Sequence, residues 1–271
     1  MKPRELLEQF STPTPVPMVI GHRGYSSLAP ENTFAAFRLI LEHGIEGVEL
    51  DVHRCATGEI VVAHDETLQR TAGVPLTLRD APYGQIREHD VGRWFGEEFA
   101  GERVPLLEEI LELLGDRVFL DIEIKHYATH FGHAREGSVE AETVRLLRKH
   151  GLAGRCIVSS FDPFVVRRVR LLAPEIPVAA IYADTPDLPR LLRRGGARFY
   201  SGATVMKPNH ASATPRHVRF HQRRGRLVMP WTVDDVELAR VLAARGVDAV
   251  ITNRPGEIRD GLERAAEVAG R

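Results

Sequence analysis

The stretch VPMVIGHRGYSSLAPENTFAAFRLILEHG, residues 16–44, holds one complete structural unit. VPMVI is a short β-branched run of the buried-strand type, and PENTFAAFRLILEHG repeats apolar residues at three- and four-residue spacing before stopping at Gly44. Between strand and helix stand His22 and Arg23, where turn chemistry alone asks only for glycine or asparagine. The same unit recurs outward along the chain. Strands are expected at PMVI, GVELDV, VFLDIEI, CIVSSF, PVAAIYA, RFYSG, RLVMPWTV and DAVITN. A helical pattern follows each, at PENTFAAFRLILEHG, PLLEEILELLGD, VEAETVRLLRKHG, PFVVRRVRLLA, DLPRLLRRGG, PRHVRFHQRRG, DVELARVLAARG and GEIRDGLERAAEV. Eight strands alternating with eight helices in 271 residues define an α/β chain folded as a (β/α)8 TIM barrel. A doubly wound open sheet is the competitor, and no Gly-x-Gly-x-x-Gly follows the first strand.

About fifty residues separate the second strand from its helix, which marks residues 55–104 as an insertion in a single domain spanning 1–271. The insertion opens with EIVVAHD, a further strand ending at His64, and carries Trp94, Phe95 and Phe99.

Bulk properties narrow the function. Lys and Arg total 36 against 37 for Asp and Glu, so the balanced charge argues against a nucleic-acid binder. No apolar run approaches the ~20 residues of a membrane span, so stable membrane insertion is not expected. The N-terminus lacks the apolar core of a signal peptide, and two cysteines are too few for a disulfide framework. A cytoplasmic enzyme is the expectation.

Strand parity locates the chemistry. In GVELDVH, Glu49, Asp51 and His53 share one face, and Val48, Leu50 and Val52 the other. In LDIEIK, Asp121, Glu123 and Lys125 share a face in the same way. Two strands thus direct four acids toward the C-terminal mouth, where this fold builds its sites. Acids so crowded require a cation or a buried salt-bridge network with Arg23 and Lys125. An all-oxygen set suits Mg2+ or Ca2+ better than zinc. His22 and His64 flank the acids, and a pair of imidazoles can take one proton and give another in a phosphodiester displacement. Arg23 and Lys125 offer charge to phosphate oxygens. Trp231 stands either in the core or against the substrate.

HRG with PENT, then GVELDVH, VVAHDETLQRT, RVPLLEEIL, LDIEIK, VSSFDP, PWTVDD and GVDAVITNRP resemble, in order, the glycerophosphodiester phosphodiesterase family. The resemblance runs from His22 to Pro255. It implies hydrolysis of a small-molecule glycerophosphodiester to sn-glycerol 3-phosphate and an alcohol. It implies His22 and His64 as acid–base residues and Glu49, Asp51 and Glu123 as ligands of a divalent cation. Arg23 and Lys125 match phosphate-contacting positions, and Glu31 of PENT matches an active-site acid. A lysophospholipase D or sphingomyelinase D-type activity on the same site, and an inactive ligand-binding barrel, are the alternatives. The family usually reads Thr-Val-Asn where this chain has Thr-Val-Asp, and Asp234 is expected to cap the helix that follows. His126, His130 and His133 are expected on a solvated loop.

Overall fold

A computed structural model of the chain describes residues 3–9, 16–125, 134–184, 193 and 198–269. His126, His130 and His133, and nearly all of the helix expected at DLPRLLRRGG, lie outside these residues. Eight parallel strands form the barrel: β1 (Met18–His22), β2 (Gly47–Arg54), β4 (Phe119–Ile124), β5 (Cys156–Ser160), β6 (Val178–Tyr182), β7 (Val205–Pro208), β8 (Leu227–Val228) and β9 (Ala249–Thr252). Their order is β8-β7-β6-β5-β4-β2-β1-β9, and β3 (Ile60–Val62) adds antiparallel to β2. Backbone bonds from Asp248 N to Val228 O (2.9 Å) and from Ile251 N to Pro230 O (3.0 Å) close the ring.

Two layers of apolar packing surround this sheet. Outward side chains such as Val48, Leu50, Val52, Leu120 and Ile122 pack under the helices. Inward side chains Met18, Ile20, Phe119, Ile157, Ala179, Val205, Leu227, Ala249 and Ile251 fill the barrel's lower half, together with Leu6 and Leu7 of a short N-terminal helix (Pro3–Glu8). Nothing in the sequence pattern places that helix there. Along each strand the inward residue turns from apolar to polar toward the C-terminal end. Met18 and Ile20 give way to His22, Phe119 to Asp121 and Glu123, and Val205 to Lys207. The lower half is a hydrophobic plug and the upper half a polar mouth.

Local chemistry starts the helices. Side chains of Thr33, Ser138, Asp162, Thr214 and Asp235 accept from backbone N–H groups at the starts of the helices Phe34–Glu42, Val139–Lys149, Pro163–Leu172, Pro215–Gln222 and Val236–Ala244. Three expectations need correction. RFYSG is not a strand: residues 198–201 form a helical turn, and the strand is VMKP, four residues further on. A run with Lys at an inward position reads as polar loop until its buried partners are known. The first barrel helix starts at Phe34 rather than at Pro30, and Glu31 lies in the turn before it. Asp235, not Asp234, caps the helix Val236–Ala244, its carboxylate accepting from Leu238 N at 2.7 Å.

The turn after β1 depends on Gly24. Its φ is 88°, and a Cβ there would lie 2.7 Å from the Ala36 Cβ of the helix that follows. Arg23 (φ 57°) and Asn32 (φ 56°) also adopt left-handed backbone, a conformation costly for residues with side chains and common at functional sites. Between β2 and the helix Leu107–Leu114, Cys55, Val61, Leu68, Leu78, Ile86, Val91 and Val104 form a separate small core.

Candidate active site

Register fixes the acids in two rows. Glu49 lies beside Asp121 and Asp51 beside Glu123, while His22 lies beside Glu49 on the other side. All four carboxylates are buried. Oxygens of Glu49, Asp51 and Glu123 lie within 4.8 Å of one another, a close, hard, all-oxygen set that fits a divalent cation.

Three cations are threaded among them. Arg23 Nε lies 3.3 Å from Asp51 and its Nη1 donates to Glu31 at 3.0 Å, while its backbone N donates to Glu49 at 3.1 Å. Lys125 Nζ lies 2.9 Å from Glu123 and 3.6 Å from Asp51. The third is Lys207 of β7, 2 % exposed, which meets Asp121 at 2.7 Å and donates to Ser159 Oγ at 3.0 Å. Ser159 in turn donates to Asp121 at 2.7 Å. Four carboxylates against Arg23, Lys125 and Lys207 leave a formal surplus of one negative charge.

The surplus falls unevenly. Burial opposes the charge of Asp51, yet Lys125 and Arg23 outweigh it and lower its pKa to about 2. For Glu49, burial and then repulsion from Asp51 push the carboxyl well above its usual range. Glu123 is also raised, burial and Asp51 together exceeding the help of Lys125. Burial works against Lys125 as well, but Glu123 and Asp51 hold its pKa above the ordinary value.

The two histidines are each held through Nδ1. His22 shares a 2.8 Å hydrogen bond with Asn253 Oδ1, and its Nε2 lies 3.9 Å from Glu49. Burial, followed by the charge of Arg23, lowers its pKa to about 4. His64, at the end of the extra strand, meets Asp65 Oδ1 at 2.7 Å. Asp65 accepts from Arg70, and Arg70 donates two further bonds to Glu31 at 2.7 and 3.1 Å. His64, Asp65, Arg70, Glu31, Arg23 and Asp51 are therefore one continuous polar chain.

A chamber of about 150 Å³ is lined by His22, Arg23, Glu49, His64, Lys125 and Lys207, with Phe161 and Trp231 on its wall. An adjoining outer lobe of about 270 Å³ shares His64, Glu123, Lys125 and Phe161 with it. Trp231 is half-buried, donates Nε1–H to Lys207 O at 2.9 Å and packs edge-on to Phe161. Thus His22, Arg23, Glu49, Asp51, His64, Glu123, Lys125 and Trp231 come together at one mouth, with Glu31 braced behind Arg23.

Sequence reading misses Asn32, Lys207 and Asn253. Asn32 donates to Asp51 at 2.9 Å from its left-handed turn, and its place inside PENT is the available signal. Lys207 is hidden by the misplaced strand. Asn253 ends DAVITN at the same inward parity as Ala249 and Ile251.

The fold agrees with the comparisons to known proteins. Residues 22–257 match the model of the glycerophosphoryl diester phosphodiesterase family. A glycerophosphodiester phosphodiesterase of Caldanaerobacter subterraneus subsp. tengcongensis is 35% identical over 239 residues, covering 88% of this chain and 94% of the relative. An Oleispira antarctica phosphodiesterase, solved in complex with the product sn-glycerol-3-phosphate, is 28% identical with a TM-score of 0.78 over 92% of this chain and 97% of its own. A glycerophosphodiester phosphodiesterase structure from Agrobacterium tumefaciens str. C58 is also 28% identical, with a TM-score of 0.76 over 90% of this chain and 99% of its own. The chain belongs to the glycerophosphoryl diester phosphodiesterase family. It is an enzyme that hydrolyses glycerophosphodiesters.

Lys207 generates a stability prediction. Lys207→Met leaves Asp121 charged and buried, and is expected to cost about 3–5 kcal/mol. Adding Asp121→Asn to that variant should recover most of the loss, because both charges are then gone. Urea unfolding of wild type, single and double variants measures this. Equal loss in the single and double variants would show that the pair is not coupled.

Proposed function

We propose that the two-lobed mouth holds a glycerophosphodiester with its phosphate in the inner chamber and its alcohol in the outer lobe. The observation that carries this reading is the pair of imidazoles facing one chamber, each held at Nδ1 and each with Nε2 left for the substrate. Arg23 and Lys125 bind the non-bridging phosphate oxygens as charge-assisted donors, with Glu31 and Arg70 fixing the guanidinium of Arg23. Trp231 and Phe161 form an apolar wall for the glycerol carbons. Glu49, Asp51 and Glu123 would hold a divalent cation, Mg2+ or Ca2+ by their oxygen donors, which would supply Lewis-acid polarisation of the phosphate.

His22 is neutral at working pH and suits the proton acceptor. His64, with a carboxylate on Nδ1, suits the donor that protonates the departing alcohol. The nearby hydroxyls are otherwise engaged: Ser159 between Asp121 and Lys207, and Ser160 donating to Ile124 O at 2.9 Å. The attacking oxygen is therefore water or the substrate's glycerol 2-hydroxyl, and the hydroxyl, already close to phosphorus, is assigned the role. His22 takes its proton, a cyclic 1,2-phosphate forms as the alcohol leaves, and water then opens the ring to sn-glycerol 3-phosphate.

The same reading takes residues 1–271 as one barrel domain with 55–104 as its insertion. Pairing of β3 on β2 and the bridge from Val61 to Leu106 support it. Cys55 and Cys156 are both free, which supports a cytoplasmic setting, and no helix among the described residues is long and apolar enough to cross a membrane. In the insertion, Trp94, Phe95 and Phe99 stack edge-on in series.

Release of glycerol 3-phosphate from glycerophosphocholine, glycerophosphoethanolamine, glycerophosphoglycerol and lysophosphatidylcholine tests the reading. Chelation should abolish turnover and Mg2+ or Ca2+ should restore it. His22→Ala and His64→Ala should each lower kcat by ~10²–10⁴-fold. Near wild-type kcat in either variant would remove that histidine from the chemistry. A 2-deoxy glycerophosphodiester should bind and resist turnover. Hydrolysis of that analogue at the parent rate would show that water attacks directly.

A further inference from the structure

Asp234 stands just after the seventh barrel strand and, although largely exposed, accepts three hydrogen bonds. Its Oδ1 accepts from Thr252 Oγ1 at 3.0 Å and from Asn253 N at 2.8 Å. Its Oδ2 accepts from Asn253 Nδ2 at 2.7 Å. A carboxylate can only accept, so the Asn253 amide is fixed with its NH2 toward Asp234 and its oxygen toward the barrel mouth. That oxygen receives Ser26 Oγ at 2.8 Å and His22 Nδ1 at 2.8 Å. An amide oxygen can only accept too, so the proton of neutral His22 must sit on Nδ1. Nε2 is then the lone-pair nitrogen, 3.9 Å from Glu49 in the chamber.

We propose that Asp234 is a positioning residue that sets the tautomer of His22 through Asn253. The proposal rests on the acceptor role assigned above to His22, and it supplies the reason that role is available. The polarity of this relay is what matters, more than its presence. Asp234→Asn keeps an amide oxygen where Oδ1 was, because two donors face that position. It places an NH2 where Oδ2 was, against the NH2 of Asn253. Two donors cannot pair, so Asn253 turns over and presents its NH2 to His22. His22 Nδ1 must then accept, its proton moves to Nε2, and the lone pair leaves the chamber. Exchanging the two side chains reverses this. In Asp234→Asn with Asn253→Asp, the new carboxylate at position 253 accepts from the new amide at position 234, from Ser26 and from His22. Nδ1 then carries the proton again.

The experiment is histidine side-chain 15N NMR of the Mg2+-loaded protein at mildly alkaline pH, with steady-state kinetics on the same samples. His22 is identified among the 12 histidines by the signals lost in His22→Ala. Wild type is expected to show a protonated Nδ1, Asp234→Asn a protonated Nε2, and the exchanged pair a protonated Nδ1. The expected kcat falls about 10–100-fold in Asp234→Asn, as for loss of a partner that orients a functional histidine, and returns toward wild type in the exchanged pair. KM and thermal midpoint should move little, since Asp234 is exposed and the substitution is isosteric. A protonated Nδ1 retained in Asp234→Asn would overturn the proposal. So would an exchanged pair with wild-type thermal midpoint but the tautomer and kcat of the single variant. Inversion of the tautomer with kcat unchanged would support the relay and contradict the acceptor role of His22, which separates the two claims.

Discussion

Four carboxylates on two adjacent strands, all removed from water, are the constraint around which the rest of the barrel mouth is arranged. Parallel pairing sets Glu49 beside Asp121 and Asp51 beside Glu123, so their separation is dictated by strand spacing and cannot relax. Each needs a counter-charge or a proton. The chain supplies counter-charge from three directions. Arg23 arrives from the left-handed turn after β1, Lys125 from the end of β4, and Lys207 from β7 across the barrel. Asp51 and Asp121 are satisfied by these partners. Among the described residues, Glu49 has no Lys or Arg ion pair within 4.0 Å, only His22 at 3.9 Å. The negative charge left over is concentrated where a divalent cation and an anionic phosphate would together neutralise it.

Function follows from where that imbalance lies. The lower barrel is packed with aliphatic and aromatic side chains, so the polar upper layer rests on a rigid floor. His22 and His64 approach from opposite flanks, one through Asn253 and one through Asp65. Their partners differ in kind. An amide oxygen holds His22 and a carboxylate holds His64. Glu31 bridges Arg70, which lies between β3 and the helix Leu107–Leu114, to Arg23, so that segment braces the Arg23 guanidinium.

Much of this is legible in the sequence because period-two alternation leaves a signature in strands with functional ends. GVELDVH and LDIEIK place aliphatic residues and acids on opposite faces whatever the tertiary detail. The helices starting at Val139, Pro163 and Pro215 are read where they fall, each preceded by a side chain that caps it. Lys207 escapes because VMKP resembles no ordinary strand; its lysine makes sense only beside Asp121, which lies 86 positions earlier in the chain. Asp234 and Asp235 are adjacent and both suit a helix cap, so only coordinates separate the cap from the relay. Asn253 reads simply as the end of a strand. Its partners His22 and Asp234 come from opposite ends of the chain and meet only when the ring closes.

By the proposed reading, the Glu49–Asp51–Glu123 cluster is unfavourable to the fold when empty and is stabilised by a cation. Thermal unfolding of wild type and Glu49→Gln, in chelator and in saturating Mg2+, tests it most directly. Glu49 is raised in the folded state, so it binds more protons folded than unfolded, and wild-type stability in chelator should fall as pH rises above the ordinary carboxylate range. At neutral pH the account predicts that Glu49→Gln melts at or above wild type in chelator, and that it gains less than wild type from Mg2+. A large loss of stability in chelator, with an undiminished response to Mg2+, would instead show that Glu49 serves the fold and not the cation.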